Sequence, residues 1–404
     1  MARVTDAPTY ARHFVGGIER SVHVVALRLD ALENNATIPA ALLKQVLHTI
    51  SFAFDVKNVW PDLRNILMNM AHRMEKAGHR DDWRPYLEHG IAASVRFQDP
   101  KTEAALRYHL GMLHEVCSRF QEADAAYKQS AETFAQLSDQ RNTARSLTRC
   151  AYIHRLRRDF PNAEALVTQA LSLLEPDDPE RADCEFTLGT LAYDKRQWGE
   201  AEAHLRAAVS IWEKTQDPYR IALSLRNLGP ALHSQGRLDE AIQCYETALL
   251  LLEENPDPLH KSGTYMNLGI AYSLKGETES ALAAYGQAER IFRLLHDDLR
   301  LARLYTNLAI EHQTHEHWQA AESYCFQASH LWQKLGNTRS VINVMDVLAL
   351  TYLGLDRPQR ASEVLHDALA LLDTIPDDPD GDRLRQTLLE DLEGVRRDMD
   401  SNGQ

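Results

Sequence analysis

A pair of small residues twelve positions apart recurs along this chain at an almost constant step. The copies are Gly111/Ala123, Ala151/Ala163, Gly189/Ala201, Gly229/Ala241, Gly269/Ala281, Ala309/Ala321 and Ala349/Ala361. The step is 40 residues every time except one of 38, between Ala151 and Gly189. Two further positions keep the same phase. One reads Tyr127, Val167, Leu205, Tyr245, Tyr285, Cys325 and Leu365, and the next small one reads Ser130, Ala170, Ala208, Ala248, Ala288, Ala328 and Ala368. The fullest copy is Tyr265-Met266-Asn267-Leu268-Gly269-Ile270-Ala271-Tyr272, followed by Ala281, Tyr285 and Ala288. Spacings of three and four between apolar and small residues predict two amphipathic helices, and Lys275-Gly276-Glu277 predicts the tight turn between them. The small pair predicts close approach of the two helix backbones. A weaker unit precedes the seven, with Ala71, Trp83, Leu87 and Gly90. Its Trp83 stands where Ala is expected, so this unit is expected to pack differently. A unit of this size cannot bury its apolar face alone, so neighbouring units must stack.

The Leu-Gly pair, the aromatic three residues later and the following Ala, aromatic and Ala resemble the tetratricopeptide repeat. The resemblance covers about residues 62–375. The period exceeds the usual 34 residues, and the longer unit is similar to repeats of kinesin light chain and of bacterial signalling ATPases and transcription regulators. The fold expected is all-α: a right-handed α-solenoid of about eight helix pairs with helical caps at both ends. The function the resemblance implies is non-enzymatic, a scaffold or adaptor that binds a peptide or partner segment on its concave face. The alternative it implies is a ligand- or peptide-sensing module that acts through a partner protein.

Punctuation between the units is regular: Ser138-Asp139, Pro176 to Pro179, Asp217-Pro218, Asn255 to Pro258, Asp297-Asp298, Gly336-Asn337 and Pro376 to Asp380. Asp, Asn, Gly and Pro stop one helix and cap the next. Before the array, residues 11–32 and 40–54 read as two helices, separated by Asn34-Asn35. After it, residues 381–398 read as a last amphipathic helix. The expected domains are 1–61 as an N-terminal helical cap or divergent repeat, 62–378 as the repeat array, and 379–404 as a C-terminal capping helix and tail. Pro230 falls inside a predicted helix and is expected to kink it, freeing the carbonyl of Arg226.

The net charge of −14 argues against general nucleic-acid binding. The five cysteines are widely spaced with no CxxC, and read as small packing residues in a reducing compartment. The longest aliphatic run is far short of the ~20 residues a membrane helix needs, and the first residues lack a signal-peptide pattern. A cytoplasmic protein with no membrane partner is expected, and nothing calls for a cofactor. Glycine-rich phosphate loops, GxSxG and HExxH are absent from the sequence. His312, His315 and His317 invite a metal reading, but His312 takes the place of a packing Tyr, and the other two fall in a turn.

In relatives of this repeat, an Asn just before the Leu-Gly pair contacts peptide backbone. Asn69, Asn227, Asn267 and Asn307 occupy that position here. Other positions projected onto the same face give Arg145, Arg149, Arg155, Arg226 and Arg303, whose guanidinium forks suit carboxylate or phosphate. Internal pairing with Glu115, Asp183, Asp194 and Asp346 is the competing reading of these arginines. Met266, Ile270, Ile310 and Leu350 form an apolar strip, for which packing between repeats competes. The candidate peptide-binding residues are therefore Arg145, Arg149, Arg155, Arg226, Asn227, Asn267, Arg303 and Asn307, with an acidic segment or free carboxylate as the expected partner.

Overall fold

The computed structural model describes residues 7–32, 38–76, 80–254, 257–375 and 379–402. All regular structure among them is helical. The chain divides into two compact units, 1–196 and 197–404. The first contains α1 (Ala7–Asp30), α2 (Ala40–Ser51), a short 3-10 turn (Lys57–Val59), α3 (Trp60–Lys76), α4 (Arg80–Arg96), α5 (Pro100–Val116), α6 (Phe120–Gln136), α7 (Gln140–Leu156), α8 (Phe160–Ser172) and α9 (Arg181–Asp194). The second contains α10 (Trp198–Thr215), α11 (Pro218–His233), α12 (Leu238–Glu254), α13 (Pro258–Lys275), α14 (Thr278–Leu294), α15 (Asp298–Thr314), α16 (Trp318–Lys334), α17 (Thr338–Gly354), α18 (Pro358–Leu372) and α19 (Pro379–Asn402). Within each unit, helices consecutive in sequence pack on one another, except that α3 packs on α1 and not on α2. In the second, α11 also meets α13, α13 meets α15, and α15 meets α17, so the first helices of successive hairpins lie side by side.

The repeated positions form the core. Ala123, Ala163, Ala201, Ala241, Ala281, Ala321 and Ala361 are all 0% exposed, and so are Ala170, Ala208, Ala248, Ala288, Ala328 and Ala368. The small residue on the first helix has a different cause from the one its sequence suggests. At Gly111, Gly229 and Gly269 it is a tyrosine ring from the second helix, and not that helix's backbone, that occupies the space of the missing side chain.

The turns also follow the phase. Ser118, Arg158, Gly236, Gly276, Glu316 and Asp356 end first helices with positive φ, and Gln98, Ser138, Gln216, His296 and Gly336 do the same at the ends of second helices. After the latter, a capping side chain restarts the chain. Asp99, Asp139, Asp217, Asp297 and Asn337 each accept a hydrogen bond from the backbone N–H three residues on, at 3.0–3.1 Å. Those bonds satisfy donors that a helix N-terminus leaves open. Helix α11 runs through Pro230 to His233 without interruption. Asn34-Asn35, Asn255-Pro256 and residues 376–378 lie outside the described residues.

At the N-terminal end, Val22, Val25 and Leu29 of α1 join Val46 and Ile50 of α2 and Leu63 and Leu67 of α3 in one core. Helix α1 begins at Ala7, earlier than the sequence indicated, and α2 ends at Ser51. Trp83 is 1% exposed and stacks on Tyr86 with ring centres 5.5 Å apart. A large side chain thus does take over the packing of this first hairpin. At the other end, α19 buries Leu388, Leu392 and Val395 against the last hairpin.

Candidate functional site

The candidate residues separate into two groups, one in each unit. In the first unit, Arg145, Arg149 and Arg155 lie along α7. Arg149 Nη2 is 3.4 Å from Glu115 Oε1, while Glu115 Oε2 accepts a 2.7 Å bond from the Tyr127 hydroxyl. Arg155 Nη1 donates to Asp194 Oδ2 at 2.6 Å, and its guanidinium lies 4.9 Å from the Tyr152 ring centre. Arg145 lies 4.7 Å over the Tyr108 ring. Internal pairing therefore accounts for Arg149 and Arg155, with Glu115 and Asp194 as the partners. Arg145 keeps an exposed side chain above an aromatic face.

In the second unit the face is built by α11, α13, α15 and α17. Positions i, i+4 and i+7 of an α-helix share one side. On α15 these are Arg303, Asn307 and Ile310. On α13 they are Gly263, Asn267 and Ile270, and on α17 Asn343, Val347 and Leu350. Asn307 and Asn267 are half-buried, and neither side chain has a hydrogen-bond partner among the described residues. Ile310 is 43% and Leu350 36% exposed, whereas Met266 and Ile270 pack partly into the core. Arg303 is exposed with no ion pair among the described residues.

The other candidates are occupied from within. Asn227 Nδ2 donates to the Leu223 carbonyl at 2.7 Å. Asn69 Oδ1 accepts from Arg73 Nε at 2.8 Å. Arg226 is engaged by neighbouring groups, and its guanidinium lies against Gly263 of α13. The sequence position thus marks four asparagines, and two of them, Asn267 and Asn307, are left with unspent donors and acceptors.

The histidine segment is structural chemistry. His312 stacks on Tyr324 at 5.3 Å with rings nearly parallel, and burial, helped by nearby His317, holds its pKa below the ordinary histidine value. His315 bonds to the Thr278 hydroxyl and lies 3.3 Å from Glu311 Oε1, so it is half-buried, and not fully solvated as its turn position suggested. Glu311 itself is 2% exposed and accepts a bond from the Ser273 hydroxyl. Sequence reasoning missed this buried carboxylate. The signal was its place in the repeat, where the other hairpins of this unit carry Ala231, Ala271 and Thr351. Among the described residues, no group of three or more His, Cys, Asp and Glu is placed to hold a metal.

Residues 180–254 and 220–294 match the tetratricopeptide repeat family. The stretch 180–294 is tetratricopeptide repeat. The repeat phase runs beyond the matched span on both sides, from the hairpin of Gly111 to that of Ala349. A tetratricopeptide-repeat chain stacks hairpins of this kind, and solved structures with that fold superpose on it. A signal-transduction ATPase with a tetratricopeptide-repeat sensor from Pyrococcus horikoshii is 13% identical, with a TM-score of 0.61 over 99% of this chain and 67% of that one. A Rap protein complexed with competence and sporulation factor is 16% identical, with a TM-score of 0.54 over 96% of this chain and 99% of that one. The apo form of the quorum sensor NprR from B. thuringiensis is 16% identical, with a TM-score of 0.54 over 70% of this chain and 79% of that one. At these identities the likeness is one of fold. Among curated proteins, no sequence matches this chain. Among the described residues, no helix is long and apolar enough to cross a membrane.

Proposed function

We propose that this protein binds a peptide or an extended segment of a partner protein on the face formed by α11, α13, α15 and α17, as an interaction scaffold or adaptor. The observation that carries this reading is the pair Asn267 and Asn307. They occupy the same position on adjacent helices, each offers a donor and an acceptor, and neither is used internally. Their amide groups stay open to solvent, and a ligand backbone could bond to them. Exposed Ile310 and Leu350 beside them add apolar area, and Arg303 adds an open cation. The arginines of α7 belong to the other unit, and two of the three already hold carboxylates.

A peptide-sensing role is the second form of the same reading. It is favoured by the fold shared with a Rap protein solved with competence and sporulation factor and with a quorum sensor. In that form the bound segment is the signal, and a partner protein receives the output. The partner is then a protein or peptide, with an acidic group facing Arg303, and the compartment proposed is the cytoplasm.

The test is site-specific photo-crosslinking in cells. A photoreactive residue replaces Asn307, and a control carries it at exposed Leu294 of α14. Capture of one or a few defined products from position 307, lost when Ile310 is changed to Asp, supports the reading. Equal capture from both positions moves the binding surface elsewhere.

A further inference from the structure

We propose that the segment held on this face adopts polyproline-II conformation, with apolar side chains at every third residue and a carboxylate in register with Arg303. This rests on the reading of the face given above and specifies its ligand. Helices α13, α15 and α17 touch in succession, and packed helices lie about 8–10 Å apart. Ile270, Ile310 and Leu350 occupy equivalent positions on them, so they form a row with about that spacing. Asn267 and Asn307 form a second row alongside, one helical turn away.

Three regular peptide conformations can be set against these rows. A β-strand returns a side chain to the same side every two residues, about 6.6–6.8 Å, and falls out of step by the second helix. An α-helix binds its own backbone groups and would leave both asparagines unsatisfied. Polyproline II has three residues per turn and rises about 3.1 Å per residue, so one turn spans about 9.3 Å and matches one hairpin. Its backbone makes no internal hydrogen bonds, which leaves N–H and C=O groups for Asn267 and Asn307. Residues i, i+3 and i+6 then meet Ile270, Ile310 and Leu350. Arg303 lies one turn before Asn307 on α15, on the side away from the apolar row. A carboxylate two residues along from an apolar anchor points to that side.

The experiment uses the full chain and four synthetic fluorescein-labelled nonapeptides, read by fluorescence anisotropy. The first carries Leu at positions 1, 4 and 7, Glu at 6 and Ser elsewhere. The second has the same composition with Leu at 1, 3 and 5. The third replaces Glu with Lys, and the fourth places Pro at positions 3 and 5 of the first. The first and fourth are expected to bind at least tenfold more tightly than the second, in which only one Leu can stay in register and two leave the row. Arg303→Glu should reverse the preference for Glu over Lys, and Ile310→Asp should weaken the first peptide at least tenfold. Circular dichroism of both variants checks that these exposed positions leave the fold intact. Equal binding of the first and second peptides, with both weakened by Ile310→Asp, overturns the period while keeping the face. Binding of none of the four, or binding indifferent to both substitutions, overturns the face as well.

Discussion

Tyr245 on α12 lies directly over Gly229 on α11: a Cβ built on that glycine would sit 2.2 Å from Cζ of the ring. The same relation holds for Gly269 and Tyr285 at 2.5 Å, and for Gly111 and Tyr127 at 2.6 Å. In three hairpins where the second helix carries a smaller residue, the first helix carries alanine: Ala151 with Val167, Ala309 with Cys325, Ala349 with Leu365. Gly189 with Leu205 departs from this exchange of volume.

Gly269→Ala tests this relation. Alanine is worth about 1 kcal/mol over glycine inside a helix, but pushing a buried ring aside costs about 1–3 kcal/mol. A lower melting temperature is expected. In Gly269→Ala/Tyr285→Leu the two effects should be non-additive, because leucine leaves room for the new methyl. Ala241→Trp and Ala281→Trp should be worse, since both sites are 0% exposed. A higher melting temperature for Gly269→Ala would mean that the ring moves aside freely.

The turns give a prediction of opposite sign. Glu316 and Asp356 end first helices at φ 59° and 57°, a region that costs an L-residue about 1–2 kcal/mol. Gly236 and Gly276 do the same task without that cost. Glu316→Gly and Asp356→Gly should each raise stability by about 0.5–1 kcal/mol, after the extra chain entropy of glycine is subtracted. Thermal or urea unfolding of the two variants measures it.

Asp346 and Asp391 link α17 to α19. Burial, reinforced by the hydrogen bond and charge of Asp391, pushes the Asp346 carboxyl up to about 7. The folded chain therefore holds a proton that the unfolded chain has released above about pH 4. Their contribution to stability is complete below that point, falls as pH rises toward 7, and is flat beyond it. Asp346→Asn should remove this slope and be more stable than the parent at pH 8. Urea titrations of both proteins from pH 4 to 8 provide the comparison.

Asp257 behaves in the reverse sense. Burial opposes its charge, but bonds from the His260 ring at 2.7 Å, the His260 N–H at 3.0 Å and the Tyr219 hydroxyl at 2.9 Å outweigh that. Its carboxyl is held well below the usual range, so its stabilisation is present above about pH 4 and is lost as pH falls. Asp257→Asn should be less stable than the parent at pH 6, and the gap should close in acid. A constant gap at all pH values would place the effect in packing instead of charge.

The hairpins, their turns and their caps were legible because each rests on a local rule that the period repeats. What occupies a small position was less legible. A gap in one helix states only that something fills it, and the partner sixteen residues on supplies the answer. The arginines were legible as residue types but not as states. Whether Arg149 is open or closed depends on Glu115, 34 positions away, and on Tyr127, and no single repeat contains all three. The four asparagines show the same limit. Asn69 and Asn227 meet partners within one helical turn, while the identical position on α13 and α15 offers none.

That distinction separates stability from binding in a way that can be measured. Arg149→Ala would leave Glu115, only 12% exposed, with the Tyr127 hydroxyl alone. Removing one member of a partly buried pair commonly costs about 1–3 kcal/mol, so this variant should unfold earlier. Arg303→Ala and Asn307→Ala remove side chains with no internal partner, and surface changes of that kind usually stay within about 0.5 kcal/mol. Both should melt with the parent protein. If the face of α13, α15 and α17 holds a segment backbone, the order reverses for binding. Asn307→Ala and Asn267→Ala should each weaken capture, Arg303→Ala should weaken it more at low salt than at high salt, and Arg149→Ala should leave it unchanged wherever the protein remains folded. Melting curves and anisotropy titrations on the same four variants supply both columns. A variant set in which stability and binding fall together would show that these asparagines serve the stack of helices and not a ligand.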